Sequence, residues 1–192
     1  MPEVEQKSRK KTAQATRRRL LDAADQLSRT VGPARLSLEA VAAEAGVSKG
    51  GLLYHFPSKH HLLRALVDDH VQGMRDEMQR LAPGCFDADR GPEQALVGAR
   101  AYQQMMQDLL RRTEGYASGV FAALAEDPHF ITPLLEFRAD VRALFQRCPA
   151  PDLAAVVHLA CEGLVHRRLT APEDWDDAEA AARFATLRGM LA

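Results

Sequence analysis

Lys49, Gly50, Gly51, Tyr54, His55 and Lys59 form the densest group of polar, chemically directed side chains and open backbone in the sequence. The chemistry they suit is recognition of a polyanion. Two lysines can neutralise phosphates, a phenol and an imidazole can hydrogen-bond phosphate oxygens or base edges, and adjacent glycines let a backbone come close to a partner. Bond-making chemistry has no comparable support. No glycine-rich phosphate loop follows a strand, no nucleophile elbow is present, and no pair of carboxylates is singled out by its spacing. The expected protein is not an enzyme.

These side chains need a scaffold, and residues 36–63 supply one. Ser37 is placed to cap a short helix whose apolar positions Leu38, Val41, Ala42 and Ala45 recur at helical spacing. Gly46 falls where the chain must turn with positive φ, Val47 plugs the turn, and Ser48 caps a second helix that begins at Lys49. Pro57 ends that helix and Ser58 caps a third, beginning at Lys59. The pattern is a helix-turn-helix, in which the first turn of the second helix lies against base edges in the major groove. Two glycines inside a helix cost about 1 kcal/mol each relative to alanine. A close approach to DNA or to the preceding helix accounts for that cost, while Leu52 and Phe56 read as core.

At Gly46-Val47-Ser48-Lys49-Gly50, Leu53-Tyr54-His55-Phe56 and Pro57-Ser58-Lys59, with Leu62 and Leu63 behind, the sequence resembles the DNA-binding domain of TetR-type bacterial transcriptional repressors. The resemblance extends upstream through Leu20, Ala23, Ala24, Leu27 and Gly32 and covers about the first third of the chain. A departure is His60-His61, where such repressors often carry an acidic residue. The DNA contacts expected on this basis are Arg17, Ser37, Ser48, Lys49, Gly50, Gly51, Tyr54, His55 and Lys59. What the resemblance implies is a homodimeric repressor that binds a pseudo-palindromic double-stranded operator and is released by a small-molecule effector in its C-terminal domain. The alternative is a regulator whose C-terminal domain only dimerises or binds a protein partner.

Charge distribution points the same way. Residues 1–64 hold 12 Lys and Arg against 6 Asp and Glu, whereas residues 65–192 hold 13 against 20. The front third is therefore the part suited to a polyanion. Residues 1–15 are polar and basic without an apolar pattern, which predicts a disordered arm, either solvated or ordering on DNA. Arg17, Arg18 and Arg19 then open a helix whose apolar face is Leu20, Ala23, Ala24, Leu27 and Val31. Its stop is placed at Gly32-Pro33.

Beyond residue 64 the pattern stays helical. Leu63, Leu66, Val67, His70, Met74, Met78 and Leu81 share one helix face up to Pro83-Gly84. Further helices are expected over residues 93–113, 115–126, 133–147, 152–169 and 175–191. No strand-type alternation occurs, so the expected fold is all-α, about nine helices, with a DNA-binding domain at 1–64 and a helical ligand-binding and dimerisation domain at 65–192. Tyr102, Met105, Met106, Phe121, Leu124 and Phe137 could line the ligand cavity the family implies, and are equally the residues of an ordinary core. Residues 152–169 are apolar on nearly every side. A helix of that kind must be covered several times over, so Val157, Cys161 and Leu164, with Phe184, Leu187 and Leu191, are the expected dimer interface.

His158, Glu162 and His166 share a helix face beside Cys161, but a transition-metal site usually draws ligands from more than one element, and no metal or cofactor is expected. Cys85, Cys148 and Cys161 are odd in number and widely spaced, which predicts reduced thiols. With neither a long apolar span nor a signal peptide, the expected location is the cytoplasm, with no membrane partner.

Overall fold

Eight α-helices and two 3-10 turns, with no strand, make up the described part of the chain in the computed structural model, which covers residues 2–30, 36–112, 123 and 126–191. The chain divides into two compact units: Met1–His70 with Ala117–Ile131, and Val71–Tyr116 with Thr132–Ala192.

The first unit holds α1 (Pro2–Thr30), α2 (Leu38–Glu44), α3 (Lys49–His55), the start of α4 (Lys59–Leu81) and the 3-10 turn Pro128–Ile131. Its core holds Leu20, Ala23 and Ala24 of the expected α1 face, Val41 and Ala42 of α2, Leu52 of α3, and Phe56, Leu63, Leu66 and Val67, joined by Leu21 and Leu62 from beside those faces. Burying a leucine or phenylalanine contributes about 1.5–3 kcal/mol, so the few apolar positions of these short helices outweigh their weak intrinsic stability. Arg18 fastens α1 to α4, its Nη1 lying 3.0 Å from Asp69 Oδ1.

Helix α1 differs from expectation. It begins at Pro2 rather than near Thr16, and its predicted end at Gly32-Pro33 lies outside the described residues. Residues 2–16 contain no glycine and are rich in Ala, Gln, Lys, Arg and Glu. Once the packed turns around Leu20 exist, extending a helix through such residues needs no new nucleus. The absence of an apolar face removes a packing reason for helix, not a conformational one.

The second unit contains the rest of α4 with α5 (Pro92–Arg112), α6 (Thr132–Gln146), α7 (Pro151–Thr170) and α8 (Asp177–Met190). Proline at N1 starts α7, and Asp176 caps α8 by accepting from Ala178 N at 2.7 Å and Glu179 N at 3.0 Å. Tyr102 and Met106 of α5, Phe137, Val141, Leu144 and Phe145 of α6, Val157 and Cys161 of α7, and Phe184 of α8 form the core. All three cysteines are buried free thiols, and desolvation pushes that of Cys161 up to about 12. Of the predicted helices, the one over residues 115–126 lies almost wholly outside the described residues.

Five of the six residues expected at a dimer interface are already buried within the single chain. Val157, Cys161, Phe184, Leu187 and Leu191 are 0–9% exposed inside the unit's own core, and Leu164 is half-buried. Helix α7 is apolar on two sides, and Val157 and Cys161 lie on the inner one. Its outer side presents Leu153, Val156 and Leu159, the last 68% exposed, beside Gly163.

Candidate nucleic-acid interface

Two capped helices and one left-handed residue hold the helix-turn-helix. Ala40 N donates to Ser37 Oγ and Gly51 N to Ser48 Oγ, both at 3.1 Å, so each short helix has a partner for one of its orphan N–H groups. Between them Gly46 takes φ +62°, and Val47 N donates back to Ala42 O at 2.9 Å. Ser37 and Ser48 are thus primarily caps, which fix where the DNA-directed side chains begin.

On α3, Leu52 is fully buried while Lys49, Gly50, Leu53 and Tyr54 are exposed, Tyr54 to 79%. Spacings of three and four residues place these four on one face. An ammonium, a bare backbone, an apolar tip and a phenol meet there. Leu53 was not singled out by its residue type, since a leucine in a helix reads as core, but on this face it is suited to a thymine methyl group. His55 is half-buried, its ring edge-on to Tyr54 at 5.1 Å between centroids, and so supports the phenol more than it reaches outward.

The two glycines serve different ends. A Cβ on Gly51 would sit 2.8 Å from Val47 Cγ1 and 3.3 Å from Ser48 Oγ, whereas one on Gly50 would meet nothing within 4 Å. Gly51 lets α3 close onto its own turn. Gly50 leaves open backbone on the exposed face. Of the two glycines expected at the DNA, Gly51 is closed against its own turn and Gly50 is open.

Charges around this face are partnered. Lys49 Nζ lies 2.6 Å from Glu39 Oε1 of α2, and that ammonium holds the Glu39 carboxyl below the usual carboxylate range. The guanidinium of Arg17 lies over the Phe56 ring, 5.2 Å from its centroid. At the start of α4, Ser58 Oγ accepts from His61 N at 3.3 Å and contacts His61 Nδ1 at 2.8 Å. Lys59 Nζ lies 3.6 Å from Glu126 Oε2, and His60 Nε2 3.2 Å from Asp127 Oδ2, with the His60 ring 4.6 Å from Phe130. His129 N donates to Asp127 Oδ1 at 2.9 Å, and that bond, followed by His60, holds the Asp127 carboxyl low. The histidine found in place of an acid at position 60 thus meets an aspartate from far along the chain. Nothing local in the sequence signals this pairing.

The family model of the bacterial regulatory proteins of the tetR family matches residues 20–66, which contain α2, the turn and α3 whole, and the tetracyclin repressor-like C-terminal domain matches residues 98–192. This chain belongs to the TetR family. It is a DNA-binding transcriptional regulator of that family, and α3 lies inside the matched N-terminal region. The HTH-type transcriptional regulator TtgR of Pseudomonas putida is 34% identical over 84 residues, a match covering 40% of this chain and 40% of TtgR. Among solved structures, the multidrug binding protein EbrR complexed with malachite green is 25% identical with a TM-score of 0.60, covering 89% of this chain and 96% of EbrR. The SmeT–triclosan complex, 20% identical with a TM-score of 0.61 over 92% of this chain and 90% of SmeT, shares the fold.

In the second unit, Tyr102, Met105, Met106 and Phe137 are all buried, while Phe121 and Leu124 lie outside the described residues. The Tyr102 hydroxyl donates to Glu162 Oε1 at 2.7 Å, and Arg138 pairs with the other carboxylate oxygen. Burial, then Glu162, drives the phenol pKa far up, so Tyr102 stays a donor. His158 stacks on Phe145 at 4.9 Å and meets the Tyr102 ring edge-on at 5.6 Å. Glu162 is thus committed to Tyr102 and Arg138, and His166 is exposed. No described group of three His, Cys, Asp or Glu residues is arranged to hold a metal ion. No described helix is long and apolar enough to cross a membrane.

Proposed function

We propose that this TetR-family regulator is a repressor that binds a pseudo-palindromic operator as a homodimer and releases it when a small molecule enters the second unit. The observation that carries the ligand half is a pair of buried polar side chains. Gln103 on α5 is fully buried and His158 on α7 is 9% exposed, and neither the Gln103 amide nor His158 Nε2 has a hydrogen-bond partner among the described residues. Each such group costs about 1–3 kcal/mol, and a ligand with hydrogen-bonding groups would recover that cost. Burial lowers the His158 pKa, keeping its imidazole neutral and able to donate or accept. The stacked Phe145–His158 pair and the Tyr102 ring favour a planar apolar body. EbrR, a structural relative, forms a complex with malachite green.

The dimer half rests on the outer faces of the last two helices. Val156, Leu159 and Gly163 of α7 and Ala178, Ala182, Ala185 and Gly189 of α8 are exposed, apolar or small, and at helical spacing. Small residues let two helix pairs approach closely in a two-fold four-helix contact. Two recognition helices can then address half-sites about one DNA turn, roughly 34–36 Å, apart. The reading places the protein in the cytoplasm and assigns it no catalysis.

Sequencing of genomic DNA footprinted by the purified full-length protein tests the reading. The expected footprint is an inverted repeat with half-sites about one turn or a multiple apart. A single unpaired half-site would contradict dimeric operator binding.

A further inference from the structure

A groove lies on the outer side of α5. We propose that the groove formed there by α5, the end of α4 and α8 binds an amphipathic carboxylate, a monoanionic head on an apolar chain. All its residues belong to the second unit, and none of them takes part in the buried polar cluster of Tyr102, Gln103 and His158. The inference therefore stands apart from the ligand reading above.

The groove has a volume of about 480 Å³ and is lined by Leu81, Val97, Arg100, Ala101, Gln104 and Arg188. That volume is within the range of small-molecule pockets. Its composition divides into two halves. Leu81, Val97 and Ala101 supply apolar surface, and Val97 remains 43% exposed on a helix whose other large apolar side chains turn inward. Arg100 and Arg188 bring two guanidinium groups from different helices, with the Gln104 amide beside them.

Both arginines are held in place by neutral acceptors. Arg100 Nε donates to the Leu191 carbonyl at 3.0 Å, and Arg188 Nη1 donates to Gln107 Oε1 at 2.7 Å. Among the described residues neither is ion-paired with a carboxylate, in contrast to Arg75, Arg80, Arg138 and Arg167 of the same unit. An arginine so anchored loses little further freedom on binding and keeps N–H donors for an anion. This pair of cations, without a carboxylate partner among the described residues, belongs to the acidic part of the chain, where 20 Asp and Glu stand against 13 Lys and Arg over residues 65–192. Two fixed guanidinium groups beside an apolar strip select an anion that also has apolar surface to bury. Inorganic phosphate would forgo the apolar half, and an alcohol would forgo the charged one.

Titration calorimetry on the full chain tests this with decanoate below its micellar range, with decanol, and with inorganic phosphate. The expected result is saturable binding of one decanoate per chain, with decanol and phosphate each weaker by roughly tenfold or more. Arg100→Gln and Arg188→Gln should each weaken decanoate by about the same factor. Because Arg100 also holds the last turn, Val97→Glu serves as a second variant. It places a carboxylate in the groove at an exposed position and should abolish decanoate binding with an unchanged melting temperature. Absence of saturable decanoate binding to the wild type would overturn the proposal. So would equal affinity in Arg188→Gln and Val97→Glu, which would mark the binding as adventitious, or decanol binding as tightly as decanoate.

Discussion

Lys49, the first residue of α3, is ion-paired with Glu39 in the first turn of α2, Nζ to Oε1 at 2.6 Å. Both side chains are exposed, so the pair contributes little to stability and much to placement. Glu39 aims the ammonium and also opposes an approaching phosphate. Glu39→Gln should therefore tighten binding to all DNA sequences, while Lys49→Ala should weaken it and reduce the salt slope by about 1. Electrophoretic mobility shifts at several salt concentrations check both. Weaker binding by Glu39→Gln would show that aiming outweighs repulsion.

The adjacent glycines should respond to alanine with opposite signs. At Gly50 the added methyl meets open space, and helix propensity predicts a gain of up to about 1 kcal/mol. At Gly51 it lies 2.8 Å from Cγ1 of Val47, a β-branched side chain with few rotamers to retreat into, and overpacking of this kind costs about 1–3 kcal/mol. Thermal unfolding should rank Gly50→Ala above wild type and Gly51→Ala below it. Equal shifts would mean that the turn yields freely.

Both helices of the DNA-binding motif, their serine caps and the glycine turn were legible in the sequence because each depends on neighbours within four residues. Pairings over long sequence distance were not. His60 and Asp127 meet across 67 positions, and no local pattern couples them. The two apolar sides of α7 posed a different problem. Val157 and Leu159 are equally apolar by type, yet one is fully buried and the other 68% exposed, and the packing of α5, α6 and α8 against α7 decides which side turns inward. The helical arm before Thr16 was not legible, because residues 2–15 carry no apolar periodicity by which a helix could be read.

Buried His158 gives stability a pH dependence. Its folded pKa is lowered from the ordinary 6.5, chiefly by desolvation. The unfolded chain therefore binds this proton more readily, so the contribution is complete above about pH 6.5 and is lost as pH falls toward the lowered value. Chemical denaturation from pH 8 to 5 should show declining stability below about pH 6.5, and His158→Phe should flatten that decline. An unaltered profile would place the titration elsewhere.

Association should depend on the outer side of α7 rather than its inner side. Leu159→Glu and Val156→Glu should give folded monomers with native helical content that fail to hold an inverted repeat, because their parent side chains are 68% and 54% exposed in the single chain. Val157→Glu should instead unfold the unit, since that position is fully buried. Sedimentation velocity and circular dichroism separate the two outcomes. A Leu159→Glu dimer with full operator affinity would move the interface to another face.

Occupancy of the second unit should weaken operator binding. The most direct test measures operator affinity of the full-length protein with and without a compound found by thermal-shift screening, and the compound's affinity with and without operator. Allosteric coupling of about 1–3 kcal/mol predicts that saturating compound weakens operator binding roughly 5- to 150-fold, and linkage requires operator to weaken the compound by the same factor. Gln103→Leu and His158→Phe should abolish both effects while leaving the ligand-free operator affinity intact. Equal operator affinities with the compound absent and saturating would contradict the account and leave the second unit with dimerisation or protein contact as its role.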